Sequence, residues 1–296
     1  MKKIWGLLIS LMSALTVASP TSAKSINDYA EESVSRLSAY LKIDTINPPG
    51  NESRGVDYLS KILDSEGIVY EMVESAPNRG NLWARLRSVK PTRSQEALVL
   101  LHHIDVVPAN RSYWSFDPLS GDVKNGFIYG RGAIDTKGLG IAQMQAFLAL
   151  AASEQPLNRD VWYMATADEE AGGFFGVGWL MENRPEIFED IGILLNEGGG
   201  ASRVGQQTVF SVEVTQKVPV WLKLYAIDTP GHGSSPRTTS SVTRIIQSLN
   251  TILQNPYEPR IIGPVAEYFS QLALSMDEEW ALSLIHISEP TRPRLI

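Results

Sequence analysis

The chain has 296 residues and no cysteine. That absence excludes disulfides, thiol nucleophiles and cysteine-ligated zinc, and it removes the residue that a lipoprotein would acylate. No block of lysine and arginine occurs in the body of the chain, and the formal net charge is -7. Nucleic acid and anionic membranes therefore find no electrostatic footprint to bind. The apolar run from Ile4 to Val17 falls short of the roughly 20 residues that a membrane span requires. Preceded by Met1-Lys2-Lys3 and followed by Thr21-Ser22-Ala23, it has instead the three-part form of a secretory signal. Residues 1–23 are thus expected to be a signal peptide rather than a membrane anchor. A periplasmic or secreted protein would start near Lys24, with no stable membrane insertion.

A chain of this length exceeds what one compact core usually holds, so two domains are expected, and 43% apolar residues suffice to bury both. Helical spacing runs from Asp28 to Leu41, stops at the turn formers Thr45 to Gly50, and resumes from Gly55 to Ser65. Strands are expected at Ile68 to Val73 and, with alternating burial, at Asn81 to Leu86. Ala97 to Leu101, Asp160 to Ala165 and Ile191 to Leu195 read as strands buried on both faces. Helices at Gly138 to Ala152 and Gly176 to Asn183 separate them. The alternation predicts an α/β fold whose mixed, mostly parallel sheet is flanked by helices, with ligands outside the carboxyl ends of the strands. The texture changes from Val220. Trp221 to Ile227 alternates as a half-exposed strand, Thr229 to Pro236 makes a rigid turn, and Ser241 to Leu253 is helical. A boundary near Val218 gives a first domain over 24–217 and a second, α+β, over 218–281.

Acidic and histidine residues stand at the mouths of these apolar runs: His103-Ile104-Asp105, Asp135, Asp168-Glu169-Glu170 and Glu197. They offer hard oxygen and imidazole ligands with one carboxylate to spare, the inventory of a two-metal hydrolase. Each has a plainer reading. A His-x-Asp pair can be simple packing, Asp135 can cap the helix that starts near Gly138, three acids in a row can be solvated surface, and Asn196-Glu197-Gly198 can be an ordinary turn. Position after buried strands favours the ligand reading. Adjacent residues point in different directions, so Glu169 and Glu170 can serve metal and substrate separately. His102 points to the opposite face of an extended segment from His103 and is expected to be structural.

Taken in order, His102 to Pro108, Trp114 to Pro118, Tyr129 to Gly138, Asp168 to Gly173, Glu197 to Gly199 and Gly231 to Ser234 resemble the M20 family of metallopeptidases. That family includes aminoacylases, carboxypeptidases, dipeptidases and desuccinylases, and the likeness runs from about Ile43 to Pro236. It implies a zinc-peptidase-like catalytic domain with an inserted lid and dimerisation domain. It also implies two Zn2+ ions, with Co2+ or Mn2+ as alternatives, held by His103, Asp135, Glu170 and Glu197, Asp135 bridging them. Asp105 would accept the other ring N–H of His103, and Glu169 would be the general base that takes a proton from a metal-activated water. His232 would enter the partner's active site in a homodimer and hydrogen-bond the oxyanion; its plainer reading is a turn histidine with no role. The implied substrates are small peptides or N-acyl amino acids, with a lean toward the aminoacylase and carboxypeptidase branch.

The chain departs from the family pattern at its end. A late histidine that would complete the second metal site is missing, and His286 is a poor substitute. Leu282 to Arg292 resembles the translation of a transposase-based sequencing adapter. Residues 282–296 are therefore expected to be a non-native tail, the second domain truncated and the catalytic domain incomplete. The alternative to an active hydrolase is a catalytically impaired or non-catalytic binding protein on the same scaffold.

Overall fold

The computed structural model describes residues 24–88, 96–153, 155–204, 207–213, 216, 220, 222–235, 237–256, 260–274 and 276. The expected signal segment 1–23, the tail 282–296 and His286 lie outside them. The chain divides into two units, Met1–Glu197 and Gly198–Ile296, a division that falls before the boundary expected near Val218.

The first unit opens with helices α1 (Ile26–Leu41) and α2 (Glu52–Ser65), followed by strands β1 (Tyr70–Glu74), β2 (Gly80–Leu86) and β3 (Ala97–His103). A short hairpin of β4 (Asp122–Lys124) and β5 (Phe127–Tyr129) leads to helix α3 (Lys137–Ala152), strand β6 (Val161–Thr166), helix α4 (Val177–Asn183) and strand β7 (Ile191–Leu195). Five strands form one sheet in the order β1-β2-β6-β3-β7. The pairings β1/β2 and β2/β6 are antiparallel, whereas β3/β6 and β3/β7 are parallel. The sheet is thus mixed, and its parallel half is the half that carries the acids.

Period-two alternation assigns each strand residue to one helix layer. Leu82, Ala84, Leu100, Val161, Tyr163 and Ala165 pack with α1, α2 and α3, while Trp83, Val99, Leu101, Trp162 and Met164 pack with Leu180 of α4 and Ile187. Burial on both faces corrects the alternating exposure expected for Asn81 to Leu86: Gly80 to Ala84 are all buried, because helices cover both sides. Helix α1 begins with a reciprocal cap, Ser25 Oγ accepting from the Asp28 N–H and Asp28 Oδ2 from the Ser25 N–H. Helix α3 is apolar nearly all round, as befits a helix held between α1 and the β3/β6 surface.

Two further strand expectations need correcting. Ile191 to Leu195 does form a strand, but as the sheet's edge it is not buried: Ile193, Leu194 and Leu195 are 43–49% exposed. An apolar run alone does not distinguish a central strand from an edge whose faces are uncovered. Residues 222–227 form no strand either; β propensity has no effect without a partner to pair with. The second unit contains the antiparallel hairpin β8 (Gly200–Val204) and β9 (Gln207–Ser211), and helices α5 (Ser241–Gln254) and α6 (Gly263–Ala273).

Gly140 shows how closely α3 lies on β3, since a Cβ there would collide with the ring of buried His102. Gly140→Ala is expected to destabilise the chain by about 1–3 kcal/mol, despite the better helix propensity of alanine. Urea denaturation should show a lower midpoint at unchanged slope.

Candidate active site

Parallel pairing brings three strand ends to one rim. His103 closes β3 opposite Thr166 of β6, residues 168–170 follow β6, and Glu197 lies two residues beyond β7. Asp135 arrives from the loop ahead of α3. The acids converge on one ring nitrogen: His103 Nε2 lies 2.9 Å from Asp135 Oδ1, 3.5 Å from Glu197 Oε2 and 3.9 Å from Glu169 Oε2. The ring is 1% exposed, but the carboxylates of Asp135 (56%) and Glu169 (49%) reach solvent. A buried imidazole thus faces an accessible acidic rim.

The other ring nitrogen sets the tautomer. Nδ1 lies 2.8 Å from the backbone carbonyl of Asp105, which can only accept, so Nδ1 carries a proton. The nearest carboxylate oxygen of Asp105 also faces Nδ1, at 3.5 Å, so the carbonyl is the nearer acceptor and the expected carboxylate the more distant one. The carboxylate is engaged elsewhere: it accepts from Asn47 Nδ2 at 2.8 Å, from the Glu169 N–H at 3.1 Å and from the Glu170 N–H at 3.2 Å. Burial opposes its ionisation, but His103, Asn47 and the Glu169 N–H together hold it below the usual carboxylate range. Asp105 therefore anchors the Glu169-Glu170 backbone as well as the histidine.

Burial also opposes charge on His103, yet the neighbouring Asp105 and the charges of Glu169 and Glu197 outweigh it and raise the imidazole to about 10. Glu169 and Glu170 are both shifted up. Burial leads in each case, with Glu197, Asp105 and Asp135 adding to Glu169, and Asp135 foremost among the neighbouring charges for Glu170. Ligand atoms of His103, Asp135 and Glu197 lie within 4.8 Å of one another, and one imidazole with hard carboxylate oxygens suits a divalent cation. Glu170 is not part of that trio. Asp135 does not cap the helix, whose N-cap is Thr136 without a side-chain bond.

His102 lies on the opposite face, fully buried, 3.4 Å from the Tyr40 hydroxyl and beside the Tyr163 ring. Burial, aided by the charge of His103, lowers it to about 3, so it stays neutral. His232 belongs to the second unit and is exposed. Its Nδ1 accepts from the Ser234 N–H at 3.3 Å, with the Ser234 hydroxyl 2.7 Å away. The ring proton consequently sits on the other nitrogen, Nε2.

Four residues beneath the rim went unread in the sequence. Asn47 bridges Asp105 and Asp168, and Arg79 pairs with Glu52 and Asp168. Lys137, two residues past Asp135, is fully buried and donates to the carbonyls of Tyr40 and Ile43. Burial lowers its ammonium to about 7 against the pull of Asp44 and Asp105. The available signal was a charged or amide residue at the mouth of a buried element, Asn47 before a proline pair and Arg79 just before β2.

The family model described as Peptidase family M20/M25/M40 matches residues 99–293. Aminoacylase-1 of Sus scrofa is 30% identical over 224 residues, which is 75% of this chain and 53% of that protein. The N-fatty-acyl-amino acid synthase/hydrolase PM20D1 of Xenopus tropicalis is 33% identical over 187 residues, 60% of this chain and 36% of that one. Among solved structures, the di-peptidase Dug1p of Saccharomyces cerevisiae overlaps 58% of this chain and 39% of its own at a TM-score of 0.49 and 20% identity. The chain spans about half the length of the aminoacylases it matches. With a family match over residues 99–293, the greater part of its length, the chain belongs to peptidase family M20/M25/M40.

Proposed function

We propose that the chain carries the metal-binding part of a divalent-metal-dependent hydrolase that cleaves an amide bond in small peptides or N-acyl amino acids. The observation that carries this reading is the convergence of His103 Nε2, Asp135 and Glu197, with Glu169 at 3.9 Å. His103, Asp135 and Glu197 would hold one ion, and Asp135 with Glu170 would serve a second. Zinc is the first choice, and cobalt or manganese also suit so oxygen-rich a set. The bound metal would polarise the scissile carbonyl and lower the pKa of a water.

Glu169 would move the proton. Its carboxylate is half exposed on the rim, and its raised pKa brings it nearer to the range in which a base can take a proton from water and return it to a leaving amine. A cavity of about 220 Å³, lined by Leu101, Val177, Gly172 and Gly173 as well as His103 and Glu169, gives the substrate an apolar seat beside that base. His232 is proposed as an oxyanion donor through Nε2, the ring nitrogen not engaged with Ser234. That role belongs to a homodimer, a reading supported by α5, whose Val242, Ile246, Leu249 and Leu253 leave a stripe 47–76% exposed.

Glu169→Gln should lower kcat by about 10²–10⁴-fold with zinc content unchanged, and His103→Ala should lower zinc affinity; loss of bound zinc in Glu169→Gln would contradict the separate roles. If the unsubstituted chain binds zinc yet turns over no N-acyl amino acid or dipeptide, the impaired alternative is the correct one.

Proton linkage gives a second prediction. The metal-free site keeps His103 protonated, with a folded pKa of about 10 against about 6.5 unfolded. The stability this contributes is full below the lower value and lost as pH rises through the upper one. Zinc must displace that proton, so its affinity should rise with pH across this window, by at most about tenfold per unit. Calorimetry in buffers of different ionisation enthalpy should show one proton released at pH 7, and none with His103→Gln. For the dimer, sedimentation equilibrium should give twice the chain mass, falling to one chain mass on Leu249→Asp.

A further inference from the structure

We propose that Arg79 is a positioning residue for Glu169 and Glu170, acting through Asp168; this rests on the reading of Glu169 as base and Glu170 as ligand. Arg79 does not touch the rim. It enters from the turn ahead of β2, is 8% exposed, and places one nitrogen, Nη2, 2.6 Å from Asp168 Oδ1 and 2.7 Å from Glu52 Oε1. Its guanidinium also lies over the Phe175 ring at 5.0 Å, and Phe175 donates its backbone N–H to Asp168 Oδ2 at 3.1 Å. One buried cation therefore grips both ends of the turn 168–175.

Asp168 transmits that grip. Its backbone adopts the left-handed region, with φ 71°, a conformation that a non-glycine residue keeps only when its surroundings hold it there. Every polar group it has is engaged. The side chain accepts from Arg79, Asn47 and Phe175, the N–H donates to Glu52 Oε1 at 3.2 Å, and the carbonyl accepts from Gly173 at 2.6 Å and Ala171 at 3.2 Å. The chain leaves this fixed residue directly into Glu169 and Glu170, whose N–H groups then meet the two oxygens of Asp105. Asn47 ties the two anchors, donating to Asp105 at 2.8 Å and to Asp168 at 3.1 Å.

The charge balance makes Arg79 hard to replace. Glu52, Asp105 and Asp168 are all at most 2% exposed, and Arg79 is the cation bonded to two of them. Without it, buried carboxylates lose their counter-charge and repel one another directly beneath the turn. The first consequence is a turn that no longer presents Glu169 and Glu170 in one direction.

The test uses the full chain, zinc-loaded, with Arg79→Gln and Arg79→Lys. Hydrogen exchange of the amides in 169–175 should speed up by about tenfold in Arg79→Gln while β3 and β6 keep their protection, with a smaller rise in Arg79→Lys. Turnover of an N-acyl amino acid should lose about 10²-fold in kcat with little change in KM, and Arg79→Lys should recover part of it. In a Glu169→Gln background, Arg79→Gln should cost clearly less kcat than it does in the unsubstituted chain, because only its effect through Glu170 remains. Unchanged exchange in 169–175, or equal acceleration throughout the first unit, would overturn the proposal. If Arg79→Gln does not fold, Arg79→Lys alone decides on the same exchange criterion. If the unsubstituted chain has no turnover, the hydrolase reading fails on that ground, and exchange alone still decides the role of Arg79.

Discussion

Parallel pairing of β3 with both β6 and β7 is the constraint on which the rest of the first unit depends. Leu100 stands opposite Tyr163 on one side and Leu195 on the other, so β3 and β6 end together at His103 and Thr166, while β7 stops three residues earlier and the chain runs on to Glu197. The carboxyl end of each then delivers its own group to a shared rim: His103, the Glu169-Glu170 pair and Glu197. A slip of one residue would turn His103 to the face that His102 occupies and bury it among Tyr40, Tyr163 and Gly140. The two apolar layers prevent that slip, because each alternate residue of β3 and β6 has its own helix layer to fill.

An acidic rim assembled this way repels itself unless a cation joins it. In the metal-free chain the cation is the proton on His103, and in the proposed holoenzyme it is the metal. A second neutralisation operates below the rim, where Arg79 serves Glu52 and Asp168. The buried carboxylates of Asp105 and Asp168 spend their acceptor capacity on backbone N–H groups, which converts charge into fixed direction. That is why the Glu169-Glu170 pair sits on a turn with two glycines and still has a defined orientation.

Much of this was legible in the sequence where periodicity carried the information. Period-two alternation placed His102 and His103 on opposite faces, and the buried runs of β3 and β6 put the acids at strand ends. Burial of β7 was not legible, because an apolar run records what a strand could pack against and not what covers it. The 222–227 segment misled for the same reason. The Asp105 carboxylate was expected to serve His103, whereas its closer partners Asn47, Glu169 and Glu170 come from distant segments and could not be read locally. Glu52 and Lys137 left no local period, because a buried charge is defined by its partners in space, and Arg79 offered only its position at the mouth of a buried strand.

The central claim is that His103, Asp135 and Glu197 form one metal site. Anomalous diffraction at the zinc absorption edge from crystals of the zinc-loaded chain tests it most directly. The account predicts a peak about 2.0–2.2 Å from His103 Nε2 and from an oxygen of each of the two carboxylates. Zinc bound elsewhere, or a rim that stays empty with His103 still paired to Asp135 at saturating zinc, would contradict it.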